Sequence, residues 1–235
     1  MSRRAPPAAR SDPRPAPVMY GHGDVGASLV LIVPLLLAYE VGVLFTGHVN
    51  GADVVTRALY GAVGSRAGYL LVHVAVAAAF LLWIRHTRRW ATLRLEVAAP
   101  VVLESAIYAL TLGAVGTLIV ERLLGLGASG GSIVNALGAG VHEELVFRLA
   151  LLGGMAGVLT RSGLERRASV GAALVLSSVL FSAAHHIGVY GEPFTVHAFA
   201  FRCVAGCAFG LVFWFRSLAH AVYAHVLYDL VVALG

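Results

Sequence analysis

Long hydrophobic runs dominate the chain from residue 26 onward. They cover residues 26–45, 67–84, 100–120, 133–159, 168–189, 194–215 and 217–235. Each run approaches the roughly 20 residues that a helix needs to cross a bilayer. The pattern predicts an all-α, polytopic transmembrane helical bundle of about seven to eight spans, surrounded by the lipid bilayer. The less apolar stretch 52–66 is predicted to be an interfacial or re-entrant helix.

The composition points to the same class of protein. Of the 235 residues, 59% are hydrophobic and 12% are charged, whereas soluble domains contain about 25% charged residues. The formal net charge of +5 does not indicate a nucleic-acid partner, because the arginines stand at the ends of apolar runs. Cys203 and Cys207 would share one helix face, so no disulfide framework is expected.

The chain divides into an N-terminal arm and a membrane domain. Residues 1–24 are predicted to form a disordered basic arm, because Arg, Pro and Ala dominate there without an apolar period. The apolar run that follows lacks a convincing cleavage site and is expected to be a retained anchor. Residues 25–235 then form the transmembrane domain.

The distribution of arginine predicts the orientation of the bundle. Arginines cluster in residues 1–18, in residues 85–94, in residues 161–167 and at Arg216. With seven spans, all four positions fall on one side, and short Arg-rich connections stay in the cytoplasm. We therefore expect a multi-pass protein with a cytoplasmic N-terminus, in a bacterial cytoplasmic membrane.

The fourth apolar run contains the ionisable sequence VHEELVFRLALLGG, residues 141–154. An ionisable group at mid-bilayer costs about 2.5 to 3.5 kcal/mol, so such residues face the bundle interior and usually have a function there. Glu144 and Arg148 are one helical turn apart and can pair. Glu143 points about 100° away, which leaves its carboxylate available as a general base.

Two later runs carry histidines at a matching spacing. Phe181 precedes His185 by one turn in LFSAAHHIG, and His225 precedes Asp229 by one turn in AHVLYDL. Each pair taken alone could be a packing contact. Together with Glu143 they predict one site where a carboxylate and two imidazoles meet. His220, beside Arg216, is interpreted as interfacial.

The three motifs resemble those of a known family. EELVFR fits E-E-x-x-x-R, FSAAH fits F-x-x-x-H, and HVLYD fits H-x-x-x-N/D, in that order and on separate hydrophobic helices. The chain thereby resembles the CPBP (CAAX protease and bacteriocin-processing, Abi) family of intramembrane endopeptidases over roughly residues 100–235. The resemblance implies a bundle of about eight helices that hydrolyses a peptide bond of a membrane-associated protein or peptide.

The resemblance also implies roles for the motif residues. Glu143 would be the base that activates water, and His185 would help to bind that water. His225 and Asp229 would stabilise the oxyanion. Glu144, Arg148 and Phe181 would support this site. The substrate stays open between a prenylated C-terminus, a bacteriocin leader and a C-terminal sorting signal, and a bacterial host disfavours prenylation.

Asp229 departs from the family pattern, which more often has Asn. An Asn amide can donate a hydrogen bond to an oxyanion, whereas an ionised Asp cannot. Asp229 is therefore expected to orient and charge His225, or to bind a metal. His185, His225 and Asp229 would supply three ligands for zinc with water in the fourth position. HEELV lacks the second histidine of HExxH, so we favour a mechanism without a cofactor and keep zinc as the alternative.

Other functions compete with this interpretation. GASG, residues 127–130, fits the G-x-S-G pattern of rhomboid serine proteases, with Ser129 as nucleophile and His185 as base. A transporter could use the buried Glu, His and Asp groups as a proton relay, although no inverted repeat is visible. A non-catalytic scaffold or immunity protein is the third alternative. Glu40 and Glu104 belong to no motif, and a Glu40–Arg202 pair is one hypothesis.

Overall fold

The computed structural model describes residues 24–46, 54–117, 133–187 and 191–234. Within these ranges the regular structure is helical throughout. The first five α-helices described are α1 (Val25–Thr46), α2 (Val54–Val63), α3 (Arg66–Thr87), α4 (Leu95–Thr117) and α5 (Ile133–Gly138). Four follow: α6 (Gly154–Arg161), α7 (Arg166–Ala184), α8 (Val196–Phe215) and α9 (Leu218–Leu234). A short 3-10 helix, Arg89–Leu93, connects α3 to α4.

Five of these helices, α1, α3, α4, α7 and α8, are long and apolar enough to cross a membrane, judged by length and composition. α9 is a shorter apolar helix. The predicted all-α polytopic bundle is confirmed, and the short helix α2 lies within the predicted interfacial stretch. The predictions for the N-terminal arm and for GASG concern residues 1–23 and 127–130, which lie outside the described residues.

The surface of the bundle is apolar and parts of its interior are charged, the reverse of a soluble protein. Leu71 on α3 and Phe45 on α1 are 69% and 85% exposed. Glu143, Glu144 and Arg148 are buried. This distribution suits a hydrocarbon environment, in which exposed apolar side chains contact lipid tails and ionisable groups face inward.

The region that carries the first motif is one continuous helical segment, residues 133–161, which we call the motif helix. It consists of α5, two π-helical stretches, Ala139–Glu143 and Leu145–Gly153, and α6. The sequence predicted an ordinary α-helix here. π-Helical turns are rare and often mark functional sites, because their wider hydrogen-bonded loop redirects side chains.

Helix α9 lies at the centre of the bundle, in contact with α1, α4, α8 and the motif helix. Its first half supplies small buried residues such as Ala219, Ala221 and Ala224. At Gly140 the motif helix approaches α9 so closely that an added Cβ would lie 2.9 Å from the backbone nitrogen of Val226. This close approach sets the distance between the first and third motifs.

Candidate active site

Residues from three separate helical segments meet at one buried point. Glu143 comes from the motif helix, His185 caps the C-terminus of α7, and His225 comes from α9. Glu143 Oε2 lies 3.6 Å from His185 Nε2 and 3.9 Å from His225 Nε2. The structure therefore brings together the carboxylate and the two imidazoles that the motifs singled out.

The Glu143 carboxylate is buried and only partly hydrogen-bonded. Its side chain is 3% exposed, and its Oε2 atom has no hydrogen-bond partner among the described residues. The two imidazole contacts are longer than a direct hydrogen bond between nitrogen and oxygen. At contacts longer than about 3.5 Å a solvent molecule that hydrogen-bonds to both groups has to be considered.

The tautomer of His185 follows from its backbone contact. Its Nδ1 lies 2.8 Å from the carbonyl oxygen of Phe181, one turn earlier in α7. A carbonyl oxygen can only accept, so Nδ1 carries the hydrogen. In the neutral ring, Nε2 is then an acceptor, and it faces Glu143.

His225 lies between two carboxylates. Its Nδ1 bonds to Glu144 Oε1 at 2.8 Å, and its Nε2 lies 3.6 Å from Asp229 Oδ2. The sequence predicted Asp229 as the group that orients this ring, but the carboxylate that accepts a direct hydrogen bond from the ring is that of Glu144. Asp229 contributes a longer ionic contact at the other nitrogen. In the sequence, the spacing of Glu144 and Arg148 indicated only that these two residues pair. It could not indicate that Glu144 also contacts α9.

The predicted Glu144–Arg148 pair is present and fully buried. Arg148 Nε lies 3.1 Å from Glu144 Oε2, and the guanidinium also donates to the Gly206 carbonyl oxygen at 3.3 Å. Its Cζ atom lies 4.4 Å from the centre of the Phe181 ring. Arg148 thus holds Glu144 in place while Glu144 holds His225.

Aromatic rings enclose the two histidines. Phe181 contacts His185 edge to face, with ring centroids 4.8 Å apart. Phe209 on α8 stacks on His225 with centroids 4.5 Å apart and planes 15° apart. Sequence reasoning found Phe181 through its motif but missed Phe209, because no spacing rule connects a phenylalanine of α8 with a histidine of α9.

Other ionisable residues occupy positions that the sequence did not predict. Arg202 pairs with Glu192 at 2.6 Å, so the hypothesis of a Glu40–Arg202 pair is wrong. The His220 side chain is 1% exposed, and its Nδ1 lies 2.8 Å from Ser217 Oγ. Glu104 is hydrogen-bonded to Arg216, and this bond raises the pKa of Arg216.

Histidine nitrogens and carboxylate oxygens are possible metal ligands. Across residues 24–46, 54–117, 133–187 and 191–234, no group of three or more His, Cys, Asp or Glu side chains is arranged to hold a metal ion. Zinc bound by His185, His225 and Asp229 stays a prediction. A groove of about 520 Å³, lined by Leu149, Phe213 and Arg161 among others, lies apart from the three motif residues.

The second half of the chain is similar to a known protein family. No curated protein and no solved structure was found to match the chain. A family model described as type II CAAX prenyl endopeptidase Rce1-like matches residues 125–231. That range includes all three motifs and less than half of the chain. Residues 125–231 therefore form an Rce1-like region, which confirms the resemblance to the CPBP family.

Proposed function

We propose that the protein is an intramembrane endopeptidase that hydrolyses a peptide bond of a membrane-associated protein or peptide, with Glu143 as the base that activates water. One observation carries the proposal: the buried Oε2 atom of Glu143 lacks a hydrogen-bond partner among the described residues and faces two imidazole Nε2 atoms, 3.6 and 3.9 Å away. The Rce1-like match supports protease activity at the level of the family.

The nucleophile is a water molecule held between Glu143 and His185. Both Glu143 Oε2 and the Nε2 atom of neutral His185 are acceptors, so the water donates one hydrogen to each. This leaves a lone pair of the water oxygen directed at the substrate. During attack on the scissile carbonyl carbon, Glu143 takes one proton and the new C–O bond forms.

His225 stabilises the oxyanion that develops on the carbonyl oxygen. Glu144 faces Nδ1 and Asp229 faces Nε2, and two flanking carboxylates favour the doubly protonated ring. The imidazolium donates its Nε2 hydrogen to the oxyanion. Glu143 then delivers its proton to the leaving nitrogen, the C–N bond breaks, and the products are a new carboxyl terminus and a free amine.

This mechanism uses the chain's own residues in every step and includes no metal ion.

We further propose a location in a bacterial cytoplasmic membrane with the N-terminus in the cytoplasm, because a count of seven spans puts the Arg-rich connections on one side. The substrate class includes precursors with a leader or a C-terminal sorting signal anchored in the same membrane.

The test compares membrane proteomes of cells that carry wild type, Glu143→Ala, His185→Ala or Glu96→Ala. Glu96 is an exposed glutamate of α4 and serves as the matched control. A precursor should accumulate with the first two variants and not with Glu96→Ala. Normal processing by Glu143→Ala and His185→Ala at normal protein levels would refute the mechanism.

A further inference from the structure

A second buried polar cluster surrounds Glu40, in the part of the chain that precedes the Rce1-like region. Glu40 lies on α1 and is 5% exposed. The Tyr69 hydroxyl on α3 donates to its Oε2, and the Thr56 hydroxyl on α2 lies 3.4 Å from its Oε1. Three helices thus converge on one carboxylate that the catalytic mechanism does not use.

Two histidines from different helical segments approach the two oxygens of this carboxylate. His73 Nε2 on α3 lies 3.2 Å from Glu40 Oε2. His142 Nε2 lies 3.8 Å from Glu40 Oε1, a contact longer than a direct hydrogen bond. His142 belongs to the first π-helical stretch of the motif helix and immediately precedes Glu143. The cluster therefore joins the N-terminal helices to the residue beside the proposed base.

Backbone hydrogen bonds orient the two histidine rings of this cluster. His73 Nδ1 bonds to the Tyr69 carbonyl oxygen at 2.9 Å, and His142 Nδ1 bonds to the Gly138 carbonyl oxygen at 3.2 Å. Carbonyl oxygens only accept, so both Nδ1 atoms carry hydrogen. The Nε2 atom of each ring is therefore the atom that faces Glu40.

Packing around His142 leaves its ring little freedom. The Tyr39 ring contacts the His142 ring edge to face at 5.1 Å between centroids. Tyr39 also covers Gly138, where an added Cβ would collide with its ring. Residues 39 and 40 of α1 thus contact the motif helix at its turn before Glu143.

We propose that Glu40 is a positioning residue that acts through His142 and sets the direction of the Glu143 carboxylate. His142 and Glu143 are consecutive residues of one π-helical stretch, so a rotation of this stretch moves both side chains together. Glu40 resists that rotation from the α1 side. The inference rests on the proposed role of Glu143 as the base, and Glu40 itself contacts no substrate.

The first test needs no substrate. Hydrogen–deuterium exchange is measured on purified full-length wild type, Glu40→Ala and Val41→Ala, where Val41 is a half-exposed neighbour on the same helix. In Glu40→Ala, exchange should rise in peptides that cover residues 134–148 and stay unchanged in peptides that cover 166–184. Unchanged exchange at 134–148, or an equal rise in both regions, would overturn the proposal.

The second test measures steady-state cleavage of the precursor that accumulates with Glu143→Ala. A misplacement of about 1 Å can cost 10²-fold in rate, so kcat of Glu40→Ala should fall about 10- to 100-fold with KM unchanged. The kcat of His142→Ala should fall by a similar factor. The kcat of the Glu40→Ala/His142→Ala double variant should be no lower than that of the less active single variant. Tyr69→Phe, which removes one hydrogen bond to Glu40, should show the same pattern with a smaller loss.

Multiplicative losses in the double variant, or a change in KM alone, would overturn the positioning role. Failure of the proposed function looks different, because no precursor would then accumulate with Glu143→Ala. In that case the exchange experiment alone decides whether Glu40 holds the motif helix.

Discussion

The buried pair of Glu144 and Arg148 makes the sharpest prediction about stability. In Glu144→Gln the side chain keeps its size and an oxygen that can accept from His225. Arg148, which is 1% exposed, loses its countercharge and keeps the Gly206 carbonyl oxygen and the Phe181 ring as contacts. Removing one partner of a buried ion pair costs about 3 to 5 kcal/mol. We expect the free energy of unfolding to fall by that amount.

A second substitution separates the charge effect from a packing effect. Replacing a buried pair by neutral residues of similar volume is often close to neutral in stability. The double variant Glu144→Gln/Arg148→Met should therefore recover most of the lost free energy. Its activity should stay low, because glutamine at position 144 lacks the negative charge that faces His225 Nδ1 at 2.8 Å.

The assay is reversible unfolding in mixed detergent micelles, followed by tryptophan fluorescence at constant pH. Glu192→Gln is the matched control, because its carboxylate is 57% exposed and its pair with Arg202 is worth about 0 to 1 kcal/mol. A loss below about 1 kcal/mol in Glu144→Gln would refute the reasoning. So would a double variant that is no more stable than the single one.

Three further predictions concern packing, the oxyanion and metals. Gly140→Ala should destabilise the fold by about 1 to 3 kcal/mol through overpacking against α9. Gly171→Ala is the control, because Gly171 has open space around it. Equal thermal denaturation midpoints of the two variants would contradict this prediction. Asp229→Asn should retain more kcat than His225→Gln in precursor cleavage, because the Glu144 bond to His225 Nδ1 persists; the reverse order would contradict it. Chelator treatment followed by metal analysis should leave activity intact, and a loss reversed by zinc would support the zinc alternative instead.

Much of the fold could be predicted because a bilayer imposes simple rules on sequence. A helix must be about 20 residues long and apolar to span the hydrocarbon core, so each of the seven runs coincides with a helix or with the motif helix. The same rules made Glu143, His185 and His225 conspicuous as ionisable or polar groups in apolar surroundings.

What could not be predicted depends on how helices rotate against one another. One-turn spacing revealed the Glu144–Arg148 pair, but the bond between Glu144 and His225 joins residues 81 positions apart. Glu40 was noticed as a buried charge, yet its partners come from three other helical segments. The π-helical stretches arise from packing that no periodicity rule describes.

The central claim is that Glu143 activates a water molecule for peptide hydrolysis, and isotope incorporation tests it most directly. Purified wild type and Glu143→Gln, reconstituted in vesicles, are incubated with the accumulated precursor in water enriched in oxygen-18, and the products are analysed by mass spectrometry. We predict that wild type cleaves the precursor and places one heavy oxygen in the new carboxyl terminus, whereas equally folded Glu143→Gln produces no cleavage. Cleavage by Glu143→Gln at the wild-type rate would contradict the account.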